Sequence, residues 1–427
     1  MMRSMYSGVS GLRIHQTKMD VIGNNIANVN TVGFKSSRAL FSEIFSQTVQ
    51  GASGANANKG GTNPIQIGLG ASLGSIDVNM TEGASQRTDN PLDLKIEGNG
   101  FFVVGDVTGN KFTRAGAFTI DSVGNLVSSG GLNLMGWGVG NDGEIQKEKV
   151  QPLRILSTDN IFSEPEMTSK AIIGGNINMN DPQLDPAEGG VPFTMTIYDS
   201  LGYPYTAEML VQETGTPNEY DITMTDVTNE NGDSIIGAAT GAVTITFDET
   251  TGKITNDPAT FDITGLDTPS SDFSEIEVDF STLTMFSGNT TVEARAGDKD
   301  GLDSGNPAGT ISGYEISGDG KILGQYTNGA TKLLGQIAIA DFDNPAGLKK
   351  EGNNLFSATS NSGSFNGIGI DITSNGGVIN SGVLEMSNVD LSTEFTEMIT
   401  TQRGFQANSR IITSSDEMLQ ELVNLKR

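Results

Sequence analysis

The chain has no cysteine at all. Disulfides, thiol nucleophiles and cysteine-ligated metals are thereby excluded. A single histidine, His15, leaves no cluster to hold a metal and little scope for imidazole acid–base chemistry. Basic residues are scarce: 25 lysines and arginines face 52 aspartates and glutamates, and the formal charge is −27. Such a surface repels nucleic acid and anionic lipid, so neither is an expected partner. No window approaches 18 apolar residues, so no membrane insertion is expected. The opening residues, MMRSMYSGVSGLRIHQTK, have neither a continuous apolar core nor a small-residue cleavage site after one. That argues against a cleaved secretory signal. The protein is expected to stay in the cytoplasm or to leave by a route that reads no such signal.

Glycine, by contrast, is abundant, with 55 residues among 427, which argues for many turns and much β structure. The two ends share a pattern that the middle lacks. Met2, Met5, Val9, Leu12, Met19 and Ile26 fall on an a/d heptad frame, with Gln16 and Gly23 on the missing beats. Leu391, Phe395, Met398, Phe405, Ile412, Leu419 and Val423 do the same near the C-terminus, interrupted by Gln402, Ser409 and Asp416. This spacing makes a thin apolar seam suited to pairing with another helix. Helices of about 30 and 35 residues would be roughly 45 and 50 Å long, so the seams match in length. Asn388 or Asp390 suits the cap of the second helix, and Glu394 and Glu397 its first turn. His15 falls beside the seam. The stretch DVIGNNIANVNTVGFK puts Gly23, Asn24, Asn25, Asn28 and Asn30 in or near the first helix, although such residues cost roughly 0.7–1 kcal/mol each against alanine. Asn30 and Gly33 are placed to end it.

Between the ends the composition changes. Residues 51–75, rich in glycine, alanine and asparagine, are expected to form an extended arm without packed elements. NPLDLKIEGNGFFVVG has a hairpin signature with its turn at Asn99-Gly100, and FTRAGAFTIDSVGNLVSSGG repeats the idea with DSVGN as the turn. Residues 153–287 hold three basic residues against twenty-three acidic ones, a net of −20. Their strands, FTMTIYDS, AVTITFDE and IEVDF, alternate apolar with polar positions. The expected fold is α+β: paired N- and C-terminal helices, coiled-coil-like, carrying nested, discontinuous all-β domains. The expected limits are 1–30 with 387–427 for the helical domain and 31–75 for the arm. The inner β domain takes 76–152 with 288–386, and the acidic outer domain 153–287.

Chemistry is hard to place. Glu275, Glu277 and Asp279 are numerous enough to invite a glycosidase reading, but they alternate on one strand and so share a solvated face. GDKDGLDSGN at 297–306 resembles a calcium loop, yet has Leu302 at the fifth position and no glutamate at the twelfth, and reads as a turn. GGLNLMGWGVG, around Trp137, does not lead into a helix as a phosphate loop would. No catalytic, cofactor-binding or metal site is assigned.

The stretches SMYSGVSGL, DVIGNNIANVNTVGFK, GNGFFVV and SNVDLSTEFTEMITTQRGFQANSRIITSSDEML resemble the signatures of bacterial flagellar rod, hook and hook-associated proteins. FTMTIYDSLGYPYTAEMLVQ and the region from GTISGYEI to ATSNSG resemble the hook branch in particular. The resemblance implies a non-enzymatic subunit that polymerises into a curved, hollow helical tube. Terminal helices would form its inner layer and β domains its outer layers. Implied partners are further copies of the chain, the rod and hook–filament junction proteins, the hook cap and the flagellar export apparatus. The implied location is the extracellular hook, reached by type III export without a cleaved signal. A cysteine-derived crosslink found in some members is ruled out here. On this reading Met5, Val9, Leu12, Met19, Ile26, Leu391, Phe395, Met398, Phe405, Ile412 and Leu419 are self-assembly seams, and Asn24, Asn25, Asn28 and Gln402 are polar intersubunit contacts. The ends of a free subunit would then lack stable order. A distal rod or hook-associated subunit is the nearest alternative, and a secreted β-rich adhesin is an alternative of another class.

Overall fold

A computed structural model describes residues 2–54, 60–106, 109–140, 142–235, 242–255, 260–261 and 276–425. The N-terminal helix spans Met2–Ala27 and the C-terminal helix Leu391–Asn424. They pack against each other with β structure between them in the chain, which is the α+β architecture that the sequence implied. The first helix ends among its asparagines. The Asn28 side chain donates to the Asn24 carbonyl at 2.9 Å and accepts from the Thr31 hydroxyl at 3.1 Å. Short amide side chains compete with the backbone ladder in this way, which is why they terminate helices. The second helix begins at Asp390, whose carboxylate accepts from the Ser392 N–H and the Thr393 hydroxyl, both at 2.9 Å. Such a cap contributes about 1 kcal/mol.

The chain divides into two compact units: Met1–Ser157 with Glu315–Leu323 and Leu333–Arg427, and Thr158–Tyr314 with Gly324–Lys332. In the first unit the arm is more regular than its composition implied. Ser37–Glu43 pairs antiparallel with Ala71–Val78, and Ser46–Gln50 with Ile65–Gly68. Two strands bury neither face, so Leu40, Phe41, Phe45 and Ile76 stay exposed. The body of this unit packs Phe101, Val103, Phe112 and Trp137 against Ala338, Ala340, Phe342 and Phe356 from the returning chain. Phe112 and Phe342 meet edge to face at 4.8 Å. The Trp137 indole N–H donates to the Ile368 carbonyl at 2.8 Å.

One expected hairpin is a misreading. Leu94–Glu97 and Phe101–Asp106 are both strands, but they do not pair with each other. Leu94–Glu97 pairs with Val378–Ser381, and Phe101–Asp106 with Gly109–Thr113. Gly98 and Gly100, on either side of Asn99, both have positive φ, and a Cβ on Gly98 would lie 3.2 Å from the Gly377 backbone. The glycines thus admit chain from the C-terminal side instead of closing a local turn. The DSVGN hairpin is present: Phe118–Ile120 pairs with Leu126–Ser128, and the Asp121 carboxylate accepts from the N–H groups of Val123 and Asn125.

Among its described residues the second unit has two four-stranded sheets of its own. One runs in the order 191–198, 204–213, 219–229, 243–246, and the other 260–261, 276–284, 170–176, 291–296. Val191–Tyr198 and Pro204–Glu213 alternate buried and open positions, and Ile173, Ile197, Val211, Ile222 and Phe280 share one core. Glu277 faces solvent and Asp279 is paired with Lys299 at 3.2 Å, whereas Glu275 lies outside the described residues. The 297–306 segment is a turn: the Asp298 carboxylate accepts from the N–H groups of Asp300 and Leu302, both at 2.9 Å.

Candidate functional site

The helix pair is antiparallel, and its contact face can be followed layer by layer. Ser4 meets Ser415, with hydroxyl oxygens 3.5 Å apart. Gly8 packs on Ile412, and Gly11 on Asn408, where a Cβ would lie 2.5 Å from the amide nitrogen. The His15 ring lies over Gly404, 2.7 Å from where a Cβ would be. Lys18 pairs with Glu397 at 3.0 Å, and the Asn25 amide donates to Glu394 at 2.9 Å. Positions 4, 8, 11, 15, 18 and 25 therefore face the partner helix. They keep the expected three–four spacing but sit one residue before the apolar frame, about 100° around the helix. The same offset recurs on the second helix, where Thr401 and Ser415 are its buried residues.

The physical reason is close approach. Glycines at 8, 11 and 404 let the backbones come together, and polar side chains fill the space. The apolar frame is left along the edge of the contact, only partly covered. Val9, Leu391 and Phe395 are exposed, Phe395 to 50%. Met5, Leu12, Met19, Ile26, Met398, Phe405, Ile412 and Leu419 are half-buried, and Ile412 reaches Gly8. The signal for the true contact was present in the sequence as the Gly8-x-x-Gly11 spacing with Gly404.

The polar candidates divide. Asn25 is buried and fully used within the chain: its amide also donates to the Ser37 carbonyl at 2.9 Å and its oxygen accepts from the Ser37 N–H at 3.0 Å. Asn28 caps the helix end, as above. Asn24 and Gln402 face outward, and Gly23 is exposed with empty space where a Cβ would be. His15 lies in the contact face, not beside it. Its Nδ1 is buried without a hydrogen-bond partner, and burial, then the Lys18 charge, hold its pKa below the ordinary value.

Below the helices lies a buried charge cluster that sequence reading missed. The Glu385 carboxylate meets Lys35 at 2.6 Å and Arg114 at 3.6 Å, and all three are buried. It also accepts from the Gly83 N–H at 3.0 Å. Lys35 donates to the Thr81 carbonyl at 2.7 Å, and Arg114 to that of Gly98 at 2.7 Å. Burial pushes the pKa of both cations down, and Glu385 opposes it. The cluster clamps the exit of the first helix, a strand of the β body and the approach to the second helix. Nothing local marks residues so far apart in the chain.

Family models match in the same places. Flagella basal body rod protein covers 5–35, and the C-terminal model of basal body rod FlgEFG proteins covers 380–425. The flagellar hook protein FlgE/F/G D1 domain covers 95–172, and the FlaE D2 domain 167–301. The flagellar hook protein FlgE of Borreliella burgdorferi is 39% identical, and that of Treponema pallidum 35%, each over the whole of both chains. The chain belongs to the flagellar hook protein FlgE family. It is a structural hook subunit and not an enzyme. A basal-body rod protein, FlgG of Bacillus subtilis, is 33% identical, again over the whole of both chains. Membership of the FlgE family implies polymerisation within the flagellum and a place in the hook and basal body. Among the described residues no helix is long and apolar enough to cross a membrane, and no group of carboxylates and histidine could hold a metal ion.

Proposed function

We propose that the chain polymerises, helix pair innermost, into a hollow, bendable tube that joins rod to filament and transmits torque. The observation that carries this is the incompletely covered apolar frame of the helix pair, half-buried along most of its length and open to solvent at Val9, Leu391 and Phe395. A seam whose small and polar side faces its own partner leaves its large apolar side for neighbours. Asn24, Gln402 and Gly23 lie on outward positions where another backbone could dock and find hydrogen-bonding amides. Asn25 and Asn28 act on the same contacts indirectly, by fixing how the helix ends. The −20 charge of residues 153–287 keeps outer faces from locking together, which permits them to slide as the tube turns. Rod, junction and cap proteins would join the ends of such a tube, and the flagellar export apparatus would deliver its subunits without a cleaved signal.

Electron microscopy of the purified chain, seeded under polymerising conditions, should show tubes. A chain that stays monomeric when seeded would sink the reading. The relation to FlgG favours one second reading, a distal rod subunit. Gene deletion separates the two: loss of a hook subunit leaves the rod built but bears no filament, whereas loss of a rod subunit removes the rod's distal part.

A further inference from the structure

The sequence holds five Asn-Gly pairs, beginning at Asn99, Asn231, Asn328, Asn366 and Asn375. With no Cβ on the glycine, its backbone nitrogen is unhindered and can attack the carboxamide carbon of the preceding asparagine, provided that both groups are free to meet. At four of the pairs the fold opposes this. The Gly232 N–H donates to the Asn229 carbonyl at 2.9 Å. The Asn328 amide donates to the Asn306 side-chain oxygen at 3.0 Å and to the Pro307 carbonyl at 2.8 Å, and the Gly329 N–H to the Tyr326 carbonyl at 3.0 Å. The Asn375 amide donates to Asp341 at 2.8 Å, and the Gly376 N–H to the Thr373 carbonyl at 3.1 Å. Gly100 is packed under Ile339, whose side chain fills the place of a Cβ.

Asn366-Gly367 differs on each count. Asn366 is exposed, and neither its amide nitrogen nor the Gly367 N–H has a hydrogen bond among the described residues. Nothing lies within 4 Å of where a Cβ on Gly367 would be. The Asn366 side-chain oxygen accepts from the Ile368 N–H at 3.0 Å. That bond folds the side chain over the intervening Gly367 nitrogen. It also aims a donor at the oxygen that gains negative charge when the nitrogen adds.

We propose that Asn366 is a self-modification site, which converts without an enzyme to aspartate and isoaspartate. The Gly367 nitrogen gives its proton to solvent and bonds to Asn366 Cγ. The bond from Cγ to the amide nitrogen breaks, and ammonia leaves. A water molecule then opens the five-membered imide at either carbonyl. One opening gives aspartate. The other gives isoaspartate, which routes the main chain through Cβ and lengthens it by a carbon atom. Either product adds a negative charge. The site lies in a strap across the β body of the first unit. Phe365 meets Phe112 edge to face at 5.3 Å, the Gly367 carbonyl accepts from the Val150 N–H at 3.0 Å, and the Ile368 carbonyl from the Trp137 indole at 2.8 Å. An extra main-chain carbon between Phe365 and Gly367 puts these anchors out of step. Because the ammonia is lost to solvent, the change marks old copies apart from new ones.

Ageing the folded full-length chain in warm, mildly alkaline buffer, followed by peptide mapping in a mass spectrometer, ranks the five sites. Asn366 should convert about tenfold faster than Asn328 and Asn375, which must first break hydrogen bonds. In denaturant the five should converge, because those bonds are gone. Trp137 is the only tryptophan, so its emission reports on the strap. It should shift in step with isoaspartate at 366. Asn366→Gln, which would have to close a six-membered ring, should hold it steady. Conversion at Asn366 no faster than at Asn328 in the folded chain would overturn the site, as would an equal lead in denaturant. Conversion with unchanged Trp137 emission would overturn the displacement of the strap.

Discussion

The helix pair and the second β unit bury opposite kinds of residue. In the β unit, Ile197, Val211, Ile222 and Ile245 are all but inaccessible, and Glu277 faces solvent. In the helix pair, glycine, serine, asparagine and histidine lie in the contact with Ile412, most of the large apolar frame is only half-buried, and Val9, Leu391 and Phe395 are exposed. The first arrangement is stable as a single copy. The second leaves much of its apolar frame only partly covered, whereas ordering a helix costs about 1–2 kcal/mol per residue, so on the proposed reading further burial would come from other copies. If assembly uses that frame, stability and assembly reside in different parts of one chain, and mutations should separate them.

The largest effect is expected where the helix pair joins its β body. Glu385→Ala would leave Lys35 and Arg114 buried without a counter-charge, a situation that costs about 3–5 kcal/mol. A fall in melting temperature of the first unit, with the second unit's transition unmoved, is the expected calorimetric result. Replacing Lys35, Arg114 and Glu385 together by apolar residues of similar volume should recover much of the loss. Next comes the direct contrast between regions. Ile222→Ala should cost about 2–5 kcal/mol in the monomer, as large-to-small core changes do, and leave seeded growth of the surviving folded fraction normal. Phe395→Ala should change monomer stability by less than about 0.5 kcal/mol, as exposed positions do, while sharply reducing tube formation. If the two variants fail in the same assay, the division between stability and assembly is wrong.

How far this was legible in the sequence depends on the range of the signal. The two helices were legible because a three–four spacing of large apolar residues is local and repeats. Which face meets the partner was not, since that spacing marks where apolar side chains lie and not which side is covered. The caps and turns at Asp390, Asp121 and Asp298 were readable because a short carboxylate bonding its own backbone acts within a few residues. Leu94–Glu97 was misassigned because glycines that admit a distant strand look like glycines that close a turn. The Lys35–Glu385–Arg114 cluster left no trace, its members being single charged residues in unrelated contexts.

Two glycines sharpen the comparison on a smaller scale. Gly11 is closed in by Asn408, whereas Gly23 has nothing within 4 Å. Gly11→Val should force the helices apart and cost about 1–3 kcal/mol, as overpacking does. Gly23→Ala should instead stabilise the isolated helix by up to about 1 kcal/mol. If neighbouring backbones approach there, the same change should hinder tube growth. A variant that is more stable and assembles equally well would show that Gly23 has no part in assembly.

The smallest expected effect is that of pH on the helix pair. His15 has a lowered pKa in the folded chain, chiefly from burial and then from Lys18. Its neutral ring is therefore favoured there, and the unfolded state takes up the proton first. Stability from this group is complete above about pH 6.5 and is lost as pH falls below that value. Glu394 works in the other direction at more acid pH: burial raises its pKa, so its contribution is present when protonated and is lost as pH rises through the raised value. Hydrogen exchange over residues 5–26 in assembled tubes at pH 7.5 and 5.5, corrected for the intrinsic rate, should therefore show weaker protection at the lower pH. His15→Gln should flatten that difference and leave the Glu394 contribution in place. A loss of protection as large in His15→Gln as in the unaltered chain would mean that the imidazole does not sense pH in the contact.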